Sequence, residues 1–291
     1  MFETLQFGRI DREHFVVNGS MTQASILPHT IRNRAFNYAD GFFETIRISH
    51  GRLQNLELHY SRISDSFEGH KMNVPQNFNS ISFEASLTEL IQKKNIQQGG
   101  RVRVTFFRDG GGRYTPTSND VWWVAEAESI DANEFQLNEE GLVVDIYPEM
   151  KKTRTPLANF KNLAAQIYVH SGIWAREQEL SEALISNERN HIIESTKSNL
   201  FLVSNRVLYT PGLDGGPVGG IMRAAVIQVA LSHGYKVYEC DLTPQELLRA
   251  DEMFLTNAIR GIQWVTAYRT KRYFSSTAKE LVELLNQALV R

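Results

Sequence analysis

Two periodicities divide the chain into elements. After a turn at Asp40-Gly41, the residues Phe43, Thr45 and Arg47 alternate with Glu44, Ile46 and Ile48, which predicts a strand. Ser49-His50-Gly51 reverses the chain. Leu56, Tyr60, Ile63 and Phe67 then recur at helical spacing and predict a helix over 56–72. A short strand over 14–18 precedes these elements and ends in the turn pair Asn18-Gly19. A second helix is predicted over 79–94, ended by Gly99-Gly100. Strands over 101–107 and 121–127 flank the polar loop RDGGGRYTPTSND, a candidate substrate lid or a plain hairpin connection.

From 128 the composition turns acidic and polar, and this stretch is the expected boundary. The domains expected are 1–127, smaller and N-terminal, a linker over 128–138, and 139–291, larger and carrying the candidate lysine described below. In the second half a strand over 142–147 leads through the basic loop KKTRTP to a helix over 162–179. That helix would carry Leu163, Ile167, His170, Ile173 and Trp174. Strands over 182–186 and 191–193 pair about a turn, and 200–203 pairs with 207–209 about Asn205. Helices over 221–233 and 244–249 alternate with strands over 236–240 and 252–256. A closing helix begins near Thr277, whose spacing to Glu280 fits a capping box. Antiparallel hairpins mixed with helices in both halves predict an α+β fold in two domains.

Composition narrows the function classes. At 291 residues and 42% apolar content the chain is long enough for two ordinary cores. A net charge of −2 gives no basic field for nucleic acid. The single cysteine, Cys240, forms no internal disulfide, which fits a reducing compartment. The opening MFETLQFGRIDRE has no apolar leader core, and no apolar run approaches the length of a membrane span. A cytoplasmic protein with no membrane partner is the expectation.

Metal and hydrolase chemistry have little support, since the eight histidines are scattered and neither HExxH nor GxSxG occurs. The loop GGPVGG is neither a P-loop nor a dinucleotide fingerprint, but it opens a helix at Gly220-Ile221-Met222-Arg223 whose first N–H groups are open to an anion. Lys161 lies in the apolar context TPLANFKNLAAQ; most lysines are surface charges, but one so placed is suited to Schiff-base chemistry. Glu194 follows an apolar strand and reads either as a hairpin-tip carboxylate or as the partner of a protonated pyridine nitrogen. His59 and Arg62, three apart on the first long helix, read as a solvated flank or as a pair facing one ligand.

In order, the segments FNYADGFFETIR, LELHYSR, NFKNLA, IIESTKSNLF, YTPGLDGGPVGGIMR and ADEMFLTNA span nearly the whole chain. They resemble the fold-type IV pyridoxal-phosphate enzymes, which include branched-chain and D-amino-acid aminotransferases and aminodeoxychorismate lyase. The resemblance implies pyridoxal 5'-phosphate as cofactor, with Lys161 as Schiff-base and proton-shuttling lysine, Glu194 on the pyridine nitrogen and Arg62 on the phosphate. It places Asn199, Gly220, Ile221, Met222, Asn257 and Ala258 in the cofactor set. It implies a small-molecule substrate met by Phe43, Arg113 and Arg260, and a homodimer with active sites at the domain interface and a loop lent by the partner.

Within the family, the loop GGGRYTPTSN, the segment GIMR after YTPGLD, and ADEM before Asn257-Ala258 are similar to the lyase that makes 4-aminobenzoate. Branched-chain enzymes carry GITR, a Gly-Thr pair near 257–258 and a tyrosine where this chain has Gln166. D-amino-acid enzymes carry a tyrosine where this chain has Phe43, and an Arg-x-His trap absent from RDGGGRYT. FETIR and TNAIRGIQWV are shared with or close to transaminases, and Trp264 stands where a proline is common. The contrasts favour the lyase; the alternative is an aminotransferase for D- or branched-chain amino acids with 2-oxoglutarate.

Overall fold

The computed structural model describes residues 14–23, 33–130 and 132–289. The expectation drawn from residues 1–13, that no leader is present, lies outside them. The chain divides into two compact units, Met1–Glu134 with Lys161–Ala164, and Phe135–Phe160 with Ala165–Arg291. Thus the division falls between Glu134 and Phe135, and the four residues from Lys161 group with the first unit.

In the first unit the elements run β1 (His14–Val17), β2 (Ser20–Gln23), α1 (Arg34–Tyr38), β3 (Gly41–Ser49), β4 (Arg52–Leu53), α2 (Leu56–Gly69), α3 (Ser80–Lys93), β5 (Gly100–Arg108) and β6 (Val121–Ser129). The strands form one antiparallel sheet in the order β2-β1-β6-β5-β3-β4. Strict alternation in β5 and β6 turns Val102, Val104, Phe106, Trp123 and Ala125 into a core with Ile46 and Ile48 of β3. Ile63 and Phe67 of α2 and Phe83, Leu87 and Leu90 of α3 pack on that face. Asn79 caps α3, its side chain accepting from Ser82 N–H at 3.0 Å. Phe43, Thr45, Arg103 and Thr105 lie on the other face and stay half-buried.

The edge of β3 explains why the helix expected over 162–179 starts late. Phe43 N–H donates to Lys161 O at 2.9 Å, and Leu163 N–H donates to Gly41 O at 3.0 Å. Residues 161–163 therefore run alongside β3, and α4 spans only Gln166–Glu177. Gly41 is required at this crowded edge, because a Cβ there would come within 2.2 Å of Phe106 O.

The second unit holds β7 (Leu142–Ile146), α4, β8 (Glu182–Ser186), β9 (Ile192–Ser195), β10 (Asn199–Ser204), β11 (Val207–Pro211), α5 (Ile221–Ser232), β12 (Lys236–Cys240), α6 (Pro244–Arg249), β13 (Glu252–Asn257), β14 (Gly261–Tyr268), β15 (Lys271–Arg272) and α7 (Ser276–Leu289). Strands β10, β13, β14, β7, β8 and β9 pair in sequence, and Asn199 pairing with Glu194 closes the ring. Alternation again sorts the side chains. Leu200, Leu202, Met253 and Leu255 join Val144, Leu184 and Val265 in one core, while Phe201, Val203 and Phe254 pack with Met222 and Val226 of α5 and Leu281 of α7 in another. The mixture of helices with antiparallel and parallel strands is α+β, as expected.

Three local details were not read from the sequence. Strand β14 was not read from the sequence; on it Trp264 donates its indole N–H to Asn138 O at 2.8 Å, which accounts for an aromatic at a position where proline is common. The turn Asn205-Arg206 between β10 and β11 has positive φ at both residues (52° and 61°), the pattern of a type I′ hairpin. The first turn of α7 is not closed by Glu280: the buried Glu252 carboxylate accepts from the N–H of Thr277 at 2.9 Å and of Ala278 at 3.2 Å.

Candidate active site

The first unit presents an amine and two guanidinium groups on β3 and its neighbours. The Nζ of Lys161 lies 4.5 Å from the centroid of the Phe43 ring, and the Arg103 guanidinium lies 3.8 Å from the same ring. Pairing of Thr45 with Arg103 across β3 and β5 fixes this juxtaposition, since the two strands' exposed faces align. Burial depresses the Arg103 pKa, with Glu126 opposing.

Behind them stands a buried ion-pair cluster. Arg62 donates to Glu44 from Nε (2.7 Å to Oε1) and Nη2 (2.6 Å to Oε2), and His59 Nδ1 lies 2.6 Å from Oε2. Glu44 and His59 are each 1% exposed. Burial opposes ionisation of Glu44, but Arg62 and His59 overcome it and bring its pKa to about 2. Burial also lowers the His59 pKa against the pull of Glu44, so the ring is neutral at pH 7 and its Nδ1–H donates to the carboxylate. His59 and Arg62 are therefore not a solvated flank; they form a held pair with Glu44.

The loop read as a candidate substrate lid or a plain hairpin connection is anchored by arginines. Arg34 Nη1 donates to the carbonyls of Gly111, Gly112 and Arg113 (3.3, 3.4 and 2.8 Å), and its Nε donates to Asp40. Arg108 donates to Asp40, His70 O and Lys71 O. Arg113 itself is exposed at the end of this anchored segment.

The second unit presents a buried acid and a helix start. Glu194 lies within β9, opposite Ile185 of β8, rather than at a hairpin tip, and is 2% exposed. Its Oε1 accepts from Lys152 Nζ at 2.7 Å and Tyr168 OH at 2.8 Å, and its Oε2 accepts from Val218 N–H at 2.8 Å. Asn199, first residue of β10, donates to Val218 O at 2.8 Å. The loop before α5 is thus clamped on both polar groups of Val218, while Gly219 N–H donates to Asn159 O at 2.9 Å. Among the described residues no side chain caps α5, so there the N–H groups of Ile221 and Met222 are open at the positive end of the helix. A Cβ on Gly220 would come within 1.8 Å of Asn199 Oδ1, so only glycine lets the chain pass there.

Asn257 holds the turn after β13, accepting from Ile259 N–H (3.1 Å) and Arg260 N–H (2.9 Å) and donating to Ser198 Oγ (3.1 Å). The Arg260 side chain is exposed. Arg223, part of GIMR, is structural: it donates to Pro211 O at 2.8 Å and Glu239 at 2.6 Å.

These residues fit pyridoxal phosphate. A helix start without a cap beside a glycine suits a phosphate, and Thr256, paired with Asn199 across the sheet, keeps a buried hydroxyl with no hydrogen-bond partner among the described residues. A buried carboxylate with one oxygen only singly bonded suits a protonated ring nitrogen. The sequence reading missed Glu44, Arg103, Lys152, Tyr168 and Val218. Only Glu44 and Arg103 left a trace, as charges at regular positions within predicted strands. Among the described residues no His, Cys, Asp and Glu cluster could hold a metal, and no helix is long and apolar enough to cross a membrane.

Residues 41–268 match the family described as amino-transferase class IV. An aminodeoxychorismate lyase of Vibrio harveyi is 29% identical over 255 residues, covering 85% of this chain and 89% of its own. A D-alanine aminotransferase of Bacillus licheniformis is 24% identical over 278 residues, covering 94% of each. Among solved structures, a branched-chain aminotransferase of Thermoproteus uzoniensis superposes with a TM-score of 0.87 at 19% identity, covering 95% of this chain and 94% of that one. The chain belongs to the class IV aminotransferase family and is a pyridoxal-phosphate-dependent enzyme of fold type IV acting on a small molecule.

Proposed function

We propose that this enzyme is a lyase that converts 4-amino-4-deoxychorismate into 4-aminobenzoate and pyruvate. The observation that carries the reading is the Phe43 ring shared by the Lys161 amine and the Arg103 guanidinium. A carboxylated ring beside Phe43 would give a carboxylate to Arg103 and present its amine-bearing carbon to Lys161. The likeness to the Vibrio harveyi lyase supports the same choice, as does Gln166 where branched-chain enzymes carry tyrosine.

When bound, pyridoxal phosphate supplies an aldehyde for the substrate amine and a cationic ring that takes up an electron pair. Lys161 would hold the cofactor through its amine and, when that amine is free, would take the proton from the carbon bearing the substrate's nitrogen. Glu194 would hold a proton on the ring nitrogen. Arg62, braced by Glu44 and His59, would hold the phosphate, a role also open to the N–H groups of Ile221 and Met222 and to the turn Asn257-Ala258. Asn199 and Gly220 shape the approach to that helix start. Arg103, Arg113 and Arg260 take the two substrate carboxylates. The carbon–oxygen bond to the enolpyruvyl group then breaks, the ring becomes aromatic, and the departing group gains a proton at its methylene carbon to become pyruvate.

A homodimer belongs to this reading. In the first unit Phe36 (81% exposed) and Tyr114 (92%) lie near Tyr38, whose ring is 5.7 Å from that of Tyr114. So much exposed aromatic surface beside an anchored loop suits cover by a second copy. Cytoplasmic residence fits the lone, half-buried thiol of Cys240.

A second reading, an aminotransferase for D- or branched-chain amino acids, is favoured by one observation: Arg103 beside Lys161 serves equally well for the carboxylate of 2-oxoglutarate. The pure protein mixed with aminodeoxychorismate alone, and separately with amino acids plus 2-oxoglutarate, divides the two. Pyruvate and 4-aminobenzoate formed without a keto-acid acceptor establish the lyase; turnover only in the second mixture replaces it with the aminotransferase.

A further inference from the structure

The basic loop before Lys161 supplies Lys152, whose contact with Glu194 has no part in the chemistry above. Lys152 extends the chain alongside β8: its N–H donates to Ser186 O at 2.9 Å, and it bridges to Asn187. Its side chain is only 12% exposed and places Nζ 2.7 Å from Glu194 Oε1 and 5.5 Å from the Tyr168 ring centroid. Tyr168 donates to the same oxygen at 2.8 Å, and burial, reinforced by Glu194, raises its pKa so far that it remains an O–H donor.

An ionised carboxylate offers about four acceptor positions, two on each oxygen. Lys152 and Tyr168 occupy those of Oε1, and Val218 N–H occupies one of Oε2. One acceptor position remains, on Oε2, in a group almost fully removed from water. Two consequences follow. The carboxylate cannot rotate without breaking an ammonium contact. Its negative charge is also already balanced by one cation before the ring nitrogen arrives.

We propose that Lys152 is a positioning residue that fixes Glu194 through Oε1, leaves Oε2 for the ring nitrogen of the cofactor, and weakens the carboxylate's hold on that nitrogen's proton. The proposal rests on the reading of Glu194 given above. Removing a cation from beside an acidic proton raises that proton's pKa, typically by about 1–3 units for a charge within a few ångströms. Lys152 therefore moderates the electron sink as well as aiming it.

The test compares holoenzymes of the wild type, Lys152→Met, Lys152→Arg and Glu194→Gln at saturating pyridoxal phosphate. The readout is the pH midpoint of the bound cofactor's visible absorption band, with the melting temperature recorded beside it. Lys152→Met should move the midpoint upward by about one pH unit, Lys152→Arg should restore it, and Glu194→Gln should move it downward. An unmoved midpoint in Lys152→Met alongside a moved one in Glu194→Gln overturns the role of Lys152 alone. An unmoved midpoint in Glu194→Gln as well shows instead that the assignment of Glu194 has failed. Should Lys152→Met not fold, Lys152→Gln takes its place under the same outcomes. Failure of Lys152→Met, Lys152→Gln and Lys152→Arg to fold overturns the proposal in favour of a plain structural ion pair.

Discussion

Arg62 meets Glu44 through two parallel hydrogen bonds, Nε to Oε1 at 2.7 Å and Nη2 to Oε2 at 2.6 Å, on a carboxylate that is 1% exposed. A bidentate pair fixes the plane of the guanidinium, so Arg62 is oriented before any anion reaches it. His59 completes the carboxylate's partners from one turn earlier on α2. Glu44→Gln leaves a guanidinium facing a neutral amide and should cost about 3 kcal/mol of stability. Thermal or urea unfolding of the two proteins at pH 7 checks this.

The same cluster sets an acid response. The carboxyl of Glu44 titrates at about 2 when folded against 4.5 unfolded, so its contribution is complete above 4.5 and disappears as pH falls toward 2. His59, also depressed when folded, loses its contribution as pH falls below 6.5. Both act in one direction, and urea midpoints should decline on acidification. In Glu44→Gln the decline below pH 4.5 should be shallower; an equal slope in the two proteins contradicts the assignment.

Arg103 should act on binding more than on stability. A charge-assisted hydrogen bond contributes about 1.5–3 kcal/mol, so Arg103→Ala should raise KM about 10- to 100-fold for a carboxylated substrate. Steady-state kinetics with the substrate and its methyl ester measure this directly, since the ester should be indifferent to the substitution.

Gly220→Ala would force a methyl group against Asn199 Oδ1, which stands 1.8 Å from the added carbon. Either the loop before α5 shifts or Asn199 releases Val218 O, at a cost of about 1–3 kcal/mol. Cofactor content per chain after gel filtration should fall well below that of the wild type.

Much of the fold was legible because its signals are local. The stripe Leu56, Tyr60, Ile63 and Phe67 gave α2, and the alternation from Phe43 to Ile48 gave β3. Gly220 before an apolar run gave the start of α5. What was not legible depends on partners far along the chain. The apolar context of Lys161 reads as helix, yet its carbonyl accepts from Phe43 N–H across more than a hundred positions. Glu194 reads as a turn residue until β8 and β10 are seen on either side of it. Lys152 in KKTRTP looks like a solvated charge, and no local period shows that it reaches Glu194. The glycines at 110–112 suggest mobility, while the restraint comes from Arg34 upstream.

That restraint is itself testable. Arg34→Ala removes three carbonyl contacts and the bond to Asp40, and should free the segment around Gly111. Limited proteolysis should then cut near Arg113 faster than in the wild type, while melting drops by the equivalent of about 1–3 kcal/mol.

The central claim is that the amine of Lys161 carries the cofactor. The most direct measurement is borohydride reduction of the purified yellow protein followed by peptide mass analysis. A pyridoxyl-phosphate adduct on the peptide containing Lys161, absent from Lys161→Ala, is the predicted result. An adduct on another lysine, or unchanged labelling in Lys161→Ala, would contradict it.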